Sequence, residues 1–273
     1  MPKKIFITGA SSGFGKAIAE IYARNGYDCI ITGRREERLD ELQKDLEQKF
    51  NVAIYTLCFD VRNKEAVNQA IGSLPSEWQD IDILVNNAGL ALGRDYFDEA
   101  NMDDWETMID TNVKGLLYVS KAILPLMIIR NSGHIINIGS TAAKEVYEKG
   151  NVYCASKSAV ESISQSMRID LLRHGIKVTA LHPGAAETEF SKVRFKGDEE
   201  TAKSVYKGFK PLVAEDIASH DPQGECQQNQ HSGRAWCEVV AQQTHAQDGR
   251  AKGTDQETGD HAHDEPHVHH RVA

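Results

Sequence analysis

Tyr153 and Lys157 stand four residues apart in the run Tyr153-Cys154-Ala155-Ser156-Lys157, within a stretch that reads as helix. Residues at i and i+4 share one helical face. A nearby ammonium favours tyrosinate and is expected to lower the phenol pKa towards the working range. Tyr153 is therefore a candidate general acid/base for a carbonyl or hydroxyl oxygen. Ser140, thirteen residues earlier at the end of an apolar β run, is a candidate to hold that oxygen. Such a pair alone is common on helix surfaces, and its meaning depends on what accompanies it.

A second constellation opens the chain. Thr8-Gly9-Ala10-Ser11-Ser12-Gly13-Phe14-Gly15 follows a short β run and starts a helical pattern. Gly9 suits a tight exit from a strand. Gly13 and Gly15 permit close backbone approach to a pyrophosphate, which the unpaired N–H groups of a helix N-terminus attract. The spacing is Gly-x3-Gly-x-Gly rather than GxGxxG. After the second β run come Arg34 and Arg35, with Arg38 one turn on, where an NAD site usually places a carboxylate. Guanidinium groups suit a 2′-phosphate, so NADP is favoured. The competing reading pairs these arginines with Glu36 and Glu37 at a solvated helix start.

The elements that must position these groups alternate regularly. β-like runs occur at 4–8, 28–32, 53–59, 81–85, 134–138 and 178–181. Helical patterns occur at 14–25, 35–50, 63–74, 105–129 and 153–174. This rhythm predicts an α/β domain with one doubly wound parallel sheet of Rossmann type, helices on both faces, and ligands beyond the carboxyl ends of the strands.

Bulk composition is consistent with that. The chain has 273 residues, a net charge of −9 and 40% hydrophobic residues, enough for one sizeable core. The acidic balance argues against nucleic acid and anionic membranes as partners. No run approaches 18 consecutive apolar residues, so no membrane span is expected. Cys29, Cys58, Cys154, Cys226 and Cys237 form no CxxC, which fits a reducing cytoplasm.

Taken together, the motifs resemble the short-chain dehydrogenase/reductase family over residues 3–218. The resemblance rests on the glycine loop, Asp60-Val61, Asn86-Asn87-Ala88-Gly89, Asn112, Ser140, Tyr153-x3-Lys157 and Pro183-Gly184, all present in order. It implies hydride exchange between a nicotinamide cofactor and an alcohol or carbonyl. Ser140 and Tyr153 would contact the reacting oxygen, Lys157 the nicotinamide ribose, and Asn112 a water in a proton relay with Lys157. Asp60 and Val61 would border the adenine. Ser11, Ser12, Phe14, Asn87, Ala88, Gly89, Pro183, Gly184 and Thr188 would line the cofactor.

A narrower resemblance, carried by Thr188-Glu189-Phe190-Ser191, Val193-Arg194-Phe195 and Gly197-Asp198, is to NADP-dependent 3-hydroxy acid dehydrogenases, which include serine and allo-threonine dehydrogenases. It implies a small hydroxy acid such as serine, allo-threonine or 3-hydroxypropionate, or its malonic semialdehyde product, and a homotetramer if the C-terminus is intact. Arg194 could bind the substrate carboxylate bidentately, or pair with Glu189 or Asp198 to hold a flap.

Past Ala218 the rhythm stops. Residues 219–273 lack Leu, Ile, Phe, Met and Tyr and hold eight of the eleven histidines. Such a segment buries little apolar surface and is expected to be poorly ordered. Reading codons for residues 221–231 one base later permits an alternating, strand-like segment resembling the family's next strand, so a frameshift near 218 is a candidate explanation. The histidine run 261–270 lacks the acid–histidine spacing of a rigid site, and no metal site is expected. An altered pocket wall leaves a second reading open, a cofactor-binding protein without turnover.

Overall fold

A computed structural model describes residues 2–208, 210–219 and 238–240. The chain divides into the units Met1–Gln242 and Gln243–Ala273, and every described residue belongs to the first. The expectations placed on the rest of the tail, including the histidine run, lie outside the described residues.

β1 (Lys4–Ile7), β2 (Asp28–Gly33), β3 (Ile54–Cys58), β4 (Ile81–Asn86), β5 (Gly133–Ile138) and β6 (Ile176–His182) form a parallel sheet in the order β3-β2-β1-β4-β5-β6. Side chains alternate across the sheet. Ile5 and Ile7 point to one face, against Ile18 and Tyr22 of α1 (Gly13–Arg24) and Leu39, Leu42 and Leu46 of α2 (Glu36–Lys49). Phe6 and Ile30 point to the other, against Val67 and Ile71 of α3 (Lys64–Gly72). Burying each such side chain contributes about 1.5–3 kcal/mol. A short β7 (Glu238–Val240) joins the outer edge of β6 antiparallel, the one described exception to the expected parallel pairing.

Helix N-termini follow their capping residues. Asn63 accepts from the Ala66 amide at 3.0 Å, and Asn101 accepts from the Asp103 and Asp104 amides ahead of α4 (Met102–Ile109). The expected helix 105–129 is longer and not uniform. α4 runs into a π-helical turn, Asp110–Gly115, and then into α5 (Leu116–Arg130). By length and composition alone, Met102–Arg130 is long and apolar enough to cross a membrane, although it holds no uninterrupted apolar run of 18 residues. Its Val119, Ile123 and Met127 instead pack into the core beneath the sheet. A π-turn rotates the residues beyond it relative to an α-helix, and this one carries Asn112 into the interior.

α6 (Asn151–Leu171) packs beside β6 and the Ser140 turn. Three short helices follow β6: α7 (Glu189–Arg194), α8 (Glu199–Ser204) and α9 (Ala214–Ala218). The strand order reverses direction between β1 and β4, and crevices of such sheets open at that point.

Candidate active site

A cavity of about 560 Å³ opens at the carboxyl ends of the strands. Most of the residues singled out from sequence line it: Gly9, Ser11, Ser12, Gly13 and Phe14 from the glycine loop, Arg34 and Arg35 after β2, Asp60 and Val61 after β3. Asn87, Ala88 and Gly89 follow β4, Ser140 follows β5, Tyr153 and Lys157 come from α6, and Pro183, Gly184, Thr188 and Arg194 come from the chain beyond β6. Gly15, Arg38 and Asn112 do not line it; Gly15 and Asn112 are buried, and Arg38 is exposed.

Gly15 explains its own position. A Cβ there would lie 2.4 Å from the Gly9 carbonyl oxygen and 2.5 Å from Asn87 Nδ2, so only glycine lets α1 start this close to β4. Asn87 ties the two ends together, donating from Nδ2 to the Thr8 and Gly9 carbonyls at 2.8 and 3.2 Å. The loop is thus fixed before any ligand arrives, with Ser12, Gly13 and Phe14 at the start of α1 lining the cavity.

Arg35 donates to the hydroxyls of Ser11 (3.1 Å) and Ser12 (2.9 Å). It does not pair with Glu36 or Glu37. Its acidic partner is Glu189 at the start of α7, 3.2 Å away, and Glu189 also meets Arg38 at 2.9 Å. Arg34 lies 3.9 Å from Asp60, which Arg62 holds at 2.7 Å. Burial alone would raise the Asp60 carboxyl, but the Arg62 hydrogen bonds and both guanidinium charges hold it below the ordinary value. A cation-rich rim beside a rigid glycine loop fits a dinucleotide carrying an extra phosphate.

Ser140 sits in extended backbone (φ −170°, ψ 156°), and its hydroxyl accepts from the Ala142 amide at 3.1 Å, starting the 3-10 turn Thr141–Ala143. Ser140 also acts on Tyr153, favouring the ionised phenol. The expectation that an ammonium lowers the Tyr153 phenol is not met. Burial dominates and pushes it up to about 12, against the lowering effects of the Ser140 bond and the Arg194 charge. Lys157 is itself buried, which pushes its ammonium down to about 8, and it donates to the Ile138 carbonyl at 2.9 Å. Desolvation, which disfavours whichever form is charged, dominates at both groups.

Asn112 is committed. Its amide donates to the Leu90 carbonyl (2.8 Å) and the Ser156 hydroxyl (3.0 Å), and its oxygen accepts from the Leu90 amide (2.8 Å). These bonds anchor the Gly89–Leu90 wall beside Lys157.

Arg194 pairs with neither Glu189 nor Asp198, so the reading of an ion-paired flap is corrected. It donates from Nε to the Gly93 carbonyl (3.0 Å) and from Nη1 to the Tyr147 hydroxyl (2.9 Å). Its guanidinium carbon lies 5.6 Å from the centroid of the Tyr153 ring. Tyr147 was not picked out from sequence, and nothing in its local pattern marks it. Glu161 and His182 were also missed. Glu161 lies one turn beyond Lys157 on the same face of α6, a signal available from spacing alone.

Comparison with known proteins agrees with this geometry. The short chain dehydrogenase family matches residues 3–199. A curated NADP-dependent 3-hydroxy acid dehydrogenase of Salmonella typhi is 50% identical over 214 residues, 78% of this chain and 85% of that one. Its counterpart in Schizosaccharomyces pombe is 45% identical over 217 residues, 79% and 84% of the two chains. The solved closed form of serine dehydrogenase complexed with NADP+ superposes with a TM-score of 0.76 at 48% identity, covering 79% of this chain and 86% of that one. The chain belongs to the short-chain dehydrogenase family.

Proposed function

We propose that the protein is an NADP-dependent oxidoreductase acting on the CH–OH group of a small 3-hydroxy acid, of the serine, allo-threonine or 3-hydroxypropionate/malonic semialdehyde type. The observation that carries the proposal is the convergence of Ser140, Tyr153 and Lys157 on one cavity whose rim presents Arg34 and Arg35 on one side and Arg194 on the other. Two relatives and a solved neighbour that carry NADP in their names agree with it.

NADP(H), when bound, supplies or accepts the hydride. The protein's own groups do the rest. Ser140 holds the substrate oxygen. Tyr153, a neutral phenol at physiological pH, gives its proton to that oxygen during reduction and takes it back during oxidation. Lys157 spends one N–H on Ile138 and keeps two donors for the cofactor ribose. The Asn112 side-chain amide is committed to Leu90 and Ser156, so it braces the wall beside Lys157 rather than holding a relay water. Arg194, braced by Tyr147 and Gly93, meets the substrate carboxylate.

The test follows NADPH absorbance with serine, allo-threonine, 3-hydroxypropionate and malonic semialdehyde. Turnover of at least one, lost in Tyr153→Phe, supports the proposal. NADPH binding without turnover on any of them favours the cofactor-binding reading.

Assembly and place in the cell belong to the same proposal. α5 is apolar around its circumference, and Leu117, Ile169 and Leu172 on the outer surfaces of α5, α6 and the turn after it are exposed. These faces suit the contacts of a homotetramer. The described thiols Cys29, Cys58 and Cys154 are free, in keeping with a cytoplasmic protein. For residues 219–273 we retain the frameshift reading, supported by their composition; an unbroken frame in the coding DNA rejects it.

A further inference from the structure

His182 closes β6, and its ring is almost wholly enclosed, with the side chain 1% exposed. Nδ1 lies 3.1 Å from the Ser140 carbonyl oxygen, and Nε2 lies 2.6 Å from Glu161 Oε2. A carbonyl oxygen can only accept, so Nδ1 must carry a proton. The bond to Glu161 then holds a second shared proton, placed on the ring when the carboxyl is ionised. Two donors favour that ionised form: Gln165 Nε2 and Lys144 Nζ reach Glu161 Oε1 at 2.6 and 3.3 Å.

The neighbourhood is built for this ring. At Gly139 a Cβ would lie 2.6 Å from His182 Nδ1, so glycine is what allows the imidazole to lie against the backbone just before Ser140. The 3-10 turn is held from both ends. Thr141 N donates to the Pro183 carbonyl at 3.1 Å, and Ser158 Oγ donates to the Ala143 carbonyl at 3.1 Å. Lys144, the residue after the turn, is tied to the same Glu161 that holds His182. Glu161 itself follows Tyr153 and Lys157 along one face of α6.

We propose that Glu161 and His182 form a buried positioning pair that sets the Ser140 backbone against Tyr153, linking the catalytic helix to the loop that carries the catalytic serine. The proposal rests on the dehydrogenase reading above. Neither residue touches the reacting atoms. Their effect passes through Ser140, whose displacement by about 1 Å is enough to cost on the order of 100-fold in rate, while partners behind catalytic groups commonly cost 10- to 100-fold when removed.

His182→Phe keeps a ring and removes both donors. The expected result is a kcat lower by about 10- to 100-fold, with an NADPH Kd, read by cofactor fluorescence, within about twofold of the parent. Glu161→Gln keeps a polar partner for Nε2 and is expected to lose less. The double variant is expected to lose no more than His182→Phe alone, because the two act through one contact. It also avoids leaving the Glu161 oxygen that faced His182 as a charged acceptor without its donor, so it carries the comparison if His182→Phe does not fold. A folded His182→Phe with parental kcat, additive losses, or an NADPH Kd that worsens in step with kcat overturns the proposal. Nitrogen NMR of the His182 ring is independent of turnover. A ring without a proton on Nδ1 overturns the pairing, whereas a parent protein inactive on every candidate substrate counts against the dehydrogenase reading instead.

Discussion

Glu189 reaches back across the cofactor crevice to Arg38, its two carboxylate oxygens 2.9 and 3.0 Å from Nη1, and shares Arg35 at 3.2 Å. An acid from the segment over the substrate pocket therefore occupies the guanidinium groups suited to a 2′-phosphate. The three side chains are each nearly half exposed, so each ion pair contributes only about 0.2–1 kcal/mol.

Glu189→Gln removes the competing charge and is expected to tighten NADPH by about 1.5- to 5-fold at low salt. NADH, which lacks the extra phosphate, should be unaffected, and the gain should shrink at high ionic strength. Fluorescence titration with both cofactors measures this. Unchanged or weaker NADPH binding at low salt would sink the idea of competition.

Removing the guanidinium has the opposite effect. Arg35→Ala deletes a charged donor beside Ser11 and Ser12. Hydrogen bonds to charged groups are each worth about 1.5–3 kcal/mol, a factor of about 10–150 in affinity. The KM for NADPH should rise within that range while the KM for NADH moves little. Equal losses with both cofactors would show that Arg35 merely braces the glycine loop.

The sheet and the site were legible in the sequence to different depths. Strands such as Asp28–Gly33 and Ile81–Asn86 are short apolar runs fixed by local composition, and their positions came within a residue or two. The π-turn at Asp110–Gly115 was not legible, because the bonds that hold its Asn112 reach Leu90, 22 residues away in the chain. The Tyr153 phenol was misjudged for a related reason. Spacing places Lys157 beside it, but burial depends on the surrounding fold, including Phe190, whose ring lies 5.7 Å away.

That burial fixes a pH dependence. Tyr153, pushed up to about 12, stays protonated and competent as an acid through neutral pH. Lys157, pushed down to about 8, is an ammonium below that value and neutral above it. Reductive kcat/KM should therefore fall as pH rises through about 8, well before Tyr153 ionises. Lys157→Arg, charged at every accessible pH, should be slower at neutral pH but lack this limb. A limb that persists unchanged in the arginine variant would assign it to another group.

Asn112 makes a prediction about stability. Replacing it with Ala leaves the buried Leu90 amide and carbonyl without their partners. Each unsatisfied group costs about 1–3 kcal/mol. Thermal unfolding of Asn112→Ala should show a clear drop in Tm. A variant with parental Tm would mean that water replaces the amide at little cost.

Arg194 is the sharpest test of substrate class. Its Nε and Nη1 are used by Gly93 and Tyr147, and Nη2 has no partner among the described residues. A guanidinium braced in this way can offer its remaining edge to an anion at little further entropic cost. Arg194→Ala should raise the KM for a 3-hydroxy acid by about 10- to 150-fold, the worth of a charge-assisted bond. An uncharged alcohol of the same size should show little change, because it has no carboxylate to lose. Tyr147→Phe separates the two roles of the arginine: it removes one brace and leaves the charge in place, so the acid's KM should rise only modestly. If the acid and the neutral alcohol suffer equally in Arg194→Ala, the arginine shapes the wall beside Tyr153 and the carboxylate is recognised elsewhere.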